Sequence, residues 1–95
     1  MLDRVREQRE TVRRLVENHL GRDVYVFGSC ARGIETPKSD IDFLVDFKPG
    51  ATLFGMSDLQ DALGGLFGRS VDIVSMGALK DDSFGRRVRS EMIPV

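Results

Sequence analysis

The sequence predicts an α/β fold in which a small mixed β-sheet is flanked by helices. Two observations support this class. Short segments rich in β-branched and aromatic residues recur along the chain, and segments with apolar residues at helical spacing lie between them. The predicted order is αβαβαβα, without a repeat, a linker or a low-complexity tract. At 95 residues, the chain is expected to form one domain that spans residues 1–95.

The predicted elements follow from periodicity and from residues that start or stop helices. Apolar residues at helical spacing predict a first helix over residues 2–20, which Gly21 ends. Ser57 is a plausible N-cap for a helix over residues 57–67. A short helical turn is expected at residues 29–32 and a last, partly basic helix at 79–92. Strands are predicted at residues 23–27, 41–47 and 70–74.

Charge and composition exclude several classes of protein. The chain has 14 Lys and Arg against 15 Asp and Glu, so its net charge of -1 does not favour nonspecific binding to nucleic acid or membranes. Its single cysteine, Cys30, excludes an intrachain disulfide and fits a reducing compartment. No apolar run approaches the ~20 residues of a membrane span. We therefore expect a soluble cytoplasmic protein without a direct DNA or membrane partner.

Carboxylates stand out inside two of the predicted strands. Asp40 and Asp42 are two positions apart, so their side chains project from the same face, roughly 6.5 to 7 Å apart. Asp72 occupies a similar place in the third predicted strand, between Val71 and Ile73. A lone aspartate at a strand end is usually a cap or a solvated residue, and this alternative stays open for Asp72. If the two strands are neighbours, all three carboxylates converge on one patch.

Three converging carboxylates require a cation. Each pair would repel by a few kcal/mol at an effective dielectric constant of ~20. Oxygen ligands with open coordination positions suit Mg²⁺ or Mn²⁺, bound by carboxylates and substrate phosphates together. Two such ions ~3.5 to 4 Å apart can assist phosphoryl or nucleotidyl transfer. The candidate metal ligands are Asp40, Asp42 and Asp72.

A glycine and a serine directly after the first predicted strand are candidates for phosphate binding. Gly28 allows a close approach of the backbone to an anion, and the Ser29 hydroxyl adds a donor. Arg32 is the nearest cation that could contact phosphate, although a solvated helix residue or a partner of Glu35 is an equally good interpretation. Gly28 and Gly33 have the spacing of P-loop glycines, but Ile34-Glu35 replaces the required Lys-Ser/Thr pair, so this is not a Walker motif.

These residues together resemble a known signature. Gly28-Ser29, ten intervening residues, Asp40-Ile41-Asp42 and a further Asp on a later strand resemble the pattern of the DNA polymerase β-like nucleotidyltransferase superfamily. The strings GSCARGIETPKSDIDFLVDF, LFGRSVDIVS and GALKDDSFGRRVRSEMIPV are similar to minimal nucleotidyltransferase (MNT) antitoxins of HEPN/MNT toxin-antitoxin systems. This resemblance covers nearly the whole chain.

The resemblance implies a fold, an activity and a partner. It implies a polymerase β-like core in which Asp40, Asp42 and Asp72 are the metal-binding and catalytic residues and Gly28-Ser29 holds ATP. The implied activity is AMPylation: AMP passes from ATP to a tyrosine hydroxyl of a HEPN-domain ribonuclease toxin, with Mg²⁺, and silences the toxin. Asp72 would also accept the hydroxyl proton. A hetero-oligomer with the toxin is expected.

The sequence is also compatible with two other functions. The protein could be an antitoxin that occludes its partner without catalysis, or it could transfer nucleotides to RNA or to a small molecule. Larger members of the superfamily carry an extra helical region that grips the acceptor, and this sequence has none, which favours a protein acceptor. Cys30 is either a reactive thiol or, the favoured interpretation, a small buried filler. Leu53, Phe54 and Met56 are expected in a loop, as a core flap or a partner surface.

Overall fold

The computed structural model describes all 95 residues and confirms the predicted class. It contains five α-helices, one 3-10 turn and four strands. In chain order these are α1 (Leu2–Glu7), α2 (Arg9–Asn18), β1 (Gly21–Phe27), α3 (Gly28–Arg32), β2 (Ile41–Phe47), α4 (Leu53–Phe67), β3 (Val71–Ser75), the 3-10 turn (Met76–Ala78), α5 (Ser83–Glu91) and β4 (Ile93–Pro94). None of these helices is long and apolar enough to cross a membrane.

The four strands form one mixed sheet in the order β3-β2-β1-β4. Strand β1 is antiparallel to both β2 and β4, whereas β2 and β3 are parallel. The end of β1 therefore meets the starts of β2 and β3 at the same edge of the sheet. This topology brings the segments that follow β1 and precede β2 close together.

Apolar residues cover both faces of the sheet. On one face, helices α1, α2 and α4 contribute to a core of 13 buried residues that includes Ile41 and Phe43, as the alternation in β2 predicts. On the other face, Leu44 packs with Phe27 and with Val88 of α5 in a smaller cluster. Because neighbouring residues of a strand point to opposite faces, Asp42 lies on the α5 face together with Leu44.

The first predicted helix is divided into α1 and α2 at Gln8, where the backbone has φ -100° and ψ 15°. Val5 and Val12 are both fully buried, but the six residues between them are polar. No apolar side chain in this stretch holds one continuous helix against the sheet. The prediction of a single helix is therefore wrong at this point.

The predicted start of α4 at Ser57 is also wrong. Thr52 is the N-cap, since its Oγ1 accepts a hydrogen bond of 3.1 Å from the Gly55 amide. Leu53 and Phe54, expected in a loop, lie in the first helical turn and are 81% and 86% exposed. This exposure excludes a core flap for these two residues.

The last helix is shorter than predicted because Asp82 caps it. The Asp82 carboxylate accepts a hydrogen bond of 2.8 Å from the Gly85 amide, so α5 begins at Ser83 and is preceded by the 3-10 turn. After α5, Ile93 and Pro94 add the fourth strand beside β1. Two residues are too few to show an alternating pattern, and the sequence did not predict this strand.

Candidate active site

The sheet topology brings the predicted site residues to one edge. In the parallel pair β2 and β3, Asp42 is directly opposite Asp72. In the antiparallel pair β1 and β2, Phe27 is opposite Asp42, and the chain continues from Phe27 into Gly28. Asp40 immediately precedes β2. The carboxylates and the Gly-Ser pair, separate in sequence, therefore lie around the same point.

The charges of the carboxylates act on one another. The pKa of Asp42 is raised, first by burial and then by the negative charges of Asp72, Asp40 and Glu91, while Arg32 opposes the shift. The pKa of Asp72 is also raised, first by desolvation and then by the charge of Asp40 and a hydrogen bond with it. Without a bound cation, the ionised carboxylates of Asp42 and Asp72 are therefore poorly stabilised, because they are desolvated and lie near other negative charges.

The donor set at this edge fits a divalent ion that is bound in part by substrate. No three His, Cys, Asp or Glu side chains form a ready-made metal cluster. Mg²⁺ typically uses one or two carboxylates, several waters and substrate phosphates, so a closed protein cage is not required. Asp40, Asp42 and Asp72 offer only oxygen donors, and the raised pKa of two of them indicates that a cation would relieve repulsion. Their assignment as metal ligands stays a prediction.

Gly28 is required at its position for two reasons. Its φ of +73° is a conformation that residues with a side chain rarely adopt. A Cβ atom at this position would also collide with Oδ2 of Asp42. Helix α3 can therefore begin against the Asp42 carboxylate only because its first residue is glycine.

A cleft of about 460 Å³ lies on the α5 face of the sheet. Its walls include all three predicted nucleotide-binding residues, Gly28, Ser29 and Arg32, together with Asp42 and Asp72. The candidate phosphate-binding residues and two of the three carboxylates, Asp42 and Asp72, therefore line the same cleft.

Helix α5 supplies the opposite wall of this cleft, which sequence reasoning missed. Phe84 and Arg87 line the cleft, and the Phe84 ring packs edge-on against Phe27 with 6.3 Å between ring centroids. Glu91, on the same helix, accepts a hydrogen bond of 3.1 Å from the Gly28 amide. The only sequence signal for this arrangement is the i, i+4 spacing of Arg87 and Glu91.

A second cleft, of about 540 Å³, lies between α4 and the start of β3. Asp40 and Asp72 line it together with Gln60, Asp61 and Arg69. Asp72 therefore borders both clefts. Two clefts that share a carboxylate could hold two different substrates.

Cys30 does not contribute to either cleft. Its side chain is 1% exposed and belongs to the larger core cluster. Burial is the main cause that raises the pKa of its thiol, which disfavours the reactive thiolate. The structure confirms the interpretation of Cys30 as a buried filler.

The sequence is similar to a nucleotidyltransferase family model and to proteins named as protein adenylyltransferases. The family model described as "Nucleotidyltransferase domain" matches residues 5–95. A candidate protein adenylyltransferase of Methanocaldococcus jannaschii is 36% identical, over 85% of this chain and 83% of that protein. The protein adenylyltransferase MntA of Thermococcus cleftensis is 41% identical, over 62% of this chain and 60% of MntA.

The fold of this chain is also similar to that of solved structures. A structure described as a candidate minimal nucleotidyltransferase has a TM-score of 0.86 and 42% identity, covering 99% of this chain and 95% of its own. A tri-AMPylated Shewanella oneidensis HEPN toxin in complex with an MNT antitoxin gives a TM-score of 0.70 and 17% identity, covering 99% and 71%. At this identity, the second match shows a shared fold alone.

Proposed function

Because the chain belongs to the nucleotidyltransferase domain family, we propose that it is an antitoxin that transfers AMP from ATP to a tyrosine hydroxyl of a HEPN-domain ribonuclease toxin and thereby neutralises it. The observation that carries this proposal is the position of Asp42, opposite Asp72, in the same cleft as Gly28 and Ser29. Relatives named as protein adenylyltransferases support transfer to a protein. The reaction would take place in the cytoplasm.

The proposed roles follow from the positions of the residues around the cleft. Asp40, Asp42 and Asp72 would hold Mg²⁺ or Mn²⁺, and Gly28, Ser29 and Arg32 would bind the triphosphate of ATP. The bound metal would neutralise the carboxylates and the phosphates and polarise the reacting phosphorus. The protein itself would orient the α-phosphate toward the acceptor hydroxyl.

The transfer step is a substitution at the α-phosphorus. The tyrosine oxygen forms a bond to this phosphorus, the bond to the oxygen that bridges to the β-phosphate breaks, and pyrophosphate leaves with the electron pair. The hydroxyl proton passes to the Asp72 carboxylate. Asp72 suits this role because it borders both clefts, so a nucleotide in the cleft beside α5 and an acceptor in the cleft beside α4 would both reach it.

The proposed partner is a HEPN-domain toxin in a hetero-oligomer. The support is the fold shared with the MNT antitoxin that was solved in complex with a HEPN toxin. The alternative within the same partnership is an antitoxin that acts by binding and occlusion alone. Transfer to RNA or to a small molecule is less well supported, because the relatives are named for transfer to protein.

A ribonuclease assay distinguishes catalysis from occlusion. The toxin is incubated with this protein, ATP and Mg²⁺, the two are separated, and the activity of the toxin is measured. We expect the toxin to stay inactive after treatment with the wild type but to recover after treatment with the double variant Asp40→Asn, Asp42→Asn. Recovery of the toxin after separation from the wild-type protein would support occlusion instead.

A further inference from the structure

We infer that Arg87 is a second triphosphate-binding arginine, beside Arg32, and that Glu91 is a positioning residue that holds Arg87 and Arg32 at the cleft. This inference rests on the proposed function, since it concerns how the same cleft binds ATP. It adds helix α5 to the nucleotide site, although the signature that marks the site in the sequence contains no residue of this helix.

Glu91 is a shared partner for three groups around the cleft. Its Oε1 accepts a hydrogen bond of 3.1 Å from the Gly28 amide and lies 3.9 Å from Nε of Arg87. Its Oε2 lies 3.6 Å from Nε of Arg32. The Glu91 side chain is only 13% exposed, so the carboxylate lies largely out of solvent. One acidic side chain of α5 thus connects that helix to both ends of α3.

The arginines face the cleft, whereas Glu91 does not. Arg32 and Arg87 both line the cleft and have side chains that are 44% and 62% exposed. Glu91 is not among the residues that line the cleft, and its side chain is mostly buried. Each guanidinium has five donor hydrogens, and its contact with Glu91 through Nε leaves the terminal nitrogens available for phosphate oxygens. The arrangement presents two oriented cations to an anionic ligand.

The other arginines of α5 are not placed for this task. Arg86 does not line the cleft and lies 3.6 Å from Asp81, with its side chain 65% exposed. Arg89 donates hydrogen bonds to the carbonyl oxygens of Lys80 and Leu79. Arg87 is therefore the arginine of this helix that can reach a ligand in the cleft.

Arg86 is a matched control for a test of Arg87. Binding of the non-hydrolysable analogue AMP-PNP with Mg²⁺ is measured by calorimetry on the full chain. We expect Arg87→Gln to raise Kd by about tenfold, in line with the loss of one charged phosphate contact. Arg86→Gln, which removes the same charge from the same helix, should change Kd less than about twofold. Arg87→Lys should restore most of the affinity.

Glu91→Gln tests the positioning role. The amide oxygen can still accept from the Gly28 amide, but the attraction for both arginines is lost. We expect Kd for AMP-PNP to rise about threefold to tenfold, and to rise by a smaller factor when Arg87→Gln is already present, because the two residues act on the same contact. A melting curve of each variant checks that the fold is intact.

Several outcomes would overturn the inference. Tighter binding by Glu91→Gln would mean that Glu91 merely repels the triphosphate. Equal effects of Arg87→Gln and Arg86→Gln, with normal binding by the wild type, would reject the role of Arg87 and leave the proposed function intact. No binding of AMP-PNP by the wild type would reject the nucleotide site itself, and with it both proposals.

Discussion

Asp42 shows how a single residue connects sequence, stability and function. The alternation in β2 places it on the α5 face, half-buried under Gly28 and opposite Asp72. Burial and three neighbouring negative charges raise its pKa, so its ionised form destabilises the metal-free protein. A residue of this kind is expected where a cation or a positively charged ligand binds.

The raised pKa of Asp42 predicts a dependence of stability on pH. Since the folded state binds this proton more tightly than the unfolded state, the contribution is fully present below the usual aspartate pKa of ~3.9 and is lost as pH rises through the folded pKa. We expect Asp42→Asn to stabilise the metal-free protein at pH 7 by on the order of 1 kcal/mol, or about 4–8 °C in Tm. The gain should shrink toward pH 4.

Thermal melts with and without Mg²⁺ check this prediction. Wild-type Tm should rise in millimolar Mg²⁺, and Asp42→Asn should reduce that response. Asp46→Asn, at the far end of the same strand, is the matched control and should leave the response to Mg²⁺ unchanged. If the wild-type Tm does not change on addition of Mg²⁺ or Mn²⁺, with or without ATP, this result would contradict a metal site shared by the carboxylates.

Gly28→Ala tests the contact between α3 and Asp42. Gly28 and Gly33 have almost the same φ, +73° and +72°, but only a Cβ at residue 28 meets Asp42, while residue 33 faces open space. We expect Gly33→Ala to cost about 1–2 kcal/mol for its backbone conformation alone. Gly28→Ala should cost roughly 1–3 kcal/mol more because of the clash. Urea unfolding gives both values, and equal losses would show that Asp42 moves away freely.

At the scale of the elements, the sequence predicted best what short local patterns determine. The bounds of β2 were predicted correctly, because a run of seven apolar and acidic residues leaves little choice of face or length. The start of α4 was not predicted correctly, since Thr52 and Ser57 are both residue types that commonly occupy the N-cap of a helix. Only the hydrogen bond to the Gly55 amide distinguishes them. Strand β4 depends on pairing with β1 and has no local signal.

In the candidate site, too, the sequence predicts the local motifs but not the residues that long-range packing brings together. The Gly-Ser pair and the Asp-x-Asp pair are local motifs in fixed strand contexts, so they could be found. Phe84 and Arg87 reach the cleft, and Glu91 reaches the Gly28 amide, only because α5 packs on the sheet through Val88 and Leu44. Such long-range packing has no signature in a single sequence.

Substitution of the two candidate caps tests the corrected start of α4. We expect Thr52→Ala to destabilise the protein by about 1 kcal/mol, because the Gly55 amide loses its acceptor. Ser57 is exposed and lies inside the helix, so Ser57→Ala should change the free energy of unfolding by less than ~0.5 kcal/mol. Chemical denaturation measures both, and a larger loss at Ser57 would contradict the assigned helix start.

At the scale of the whole molecule, one edge of the sheet carries the proposed chemistry. The carboxylates lie between two clefts, one bounded by α3 and α5 and the other by α4 and β3. This division suits a reaction that joins two substrates, with the nucleotide on one side and the hydroxyl of a partner protein on the other. A protein that acted only by occlusion would have no need of neighbouring carboxylates such as Asp42 and Asp72, whose pKa values are raised by desolvation and by nearby negative charge.

The most direct test of this account is the intact mass of the proposed HEPN-domain partner after incubation with this protein, ATP and Mg²⁺. We predict a gain of one or more AMP units with the wild type and with Asp46→Asn, and no gain with Asp42→Asn. An unchanged partner mass with the wild type, despite a stable complex between the two proteins, would contradict transfer of AMP and leave an antitoxin that acts by binding alone.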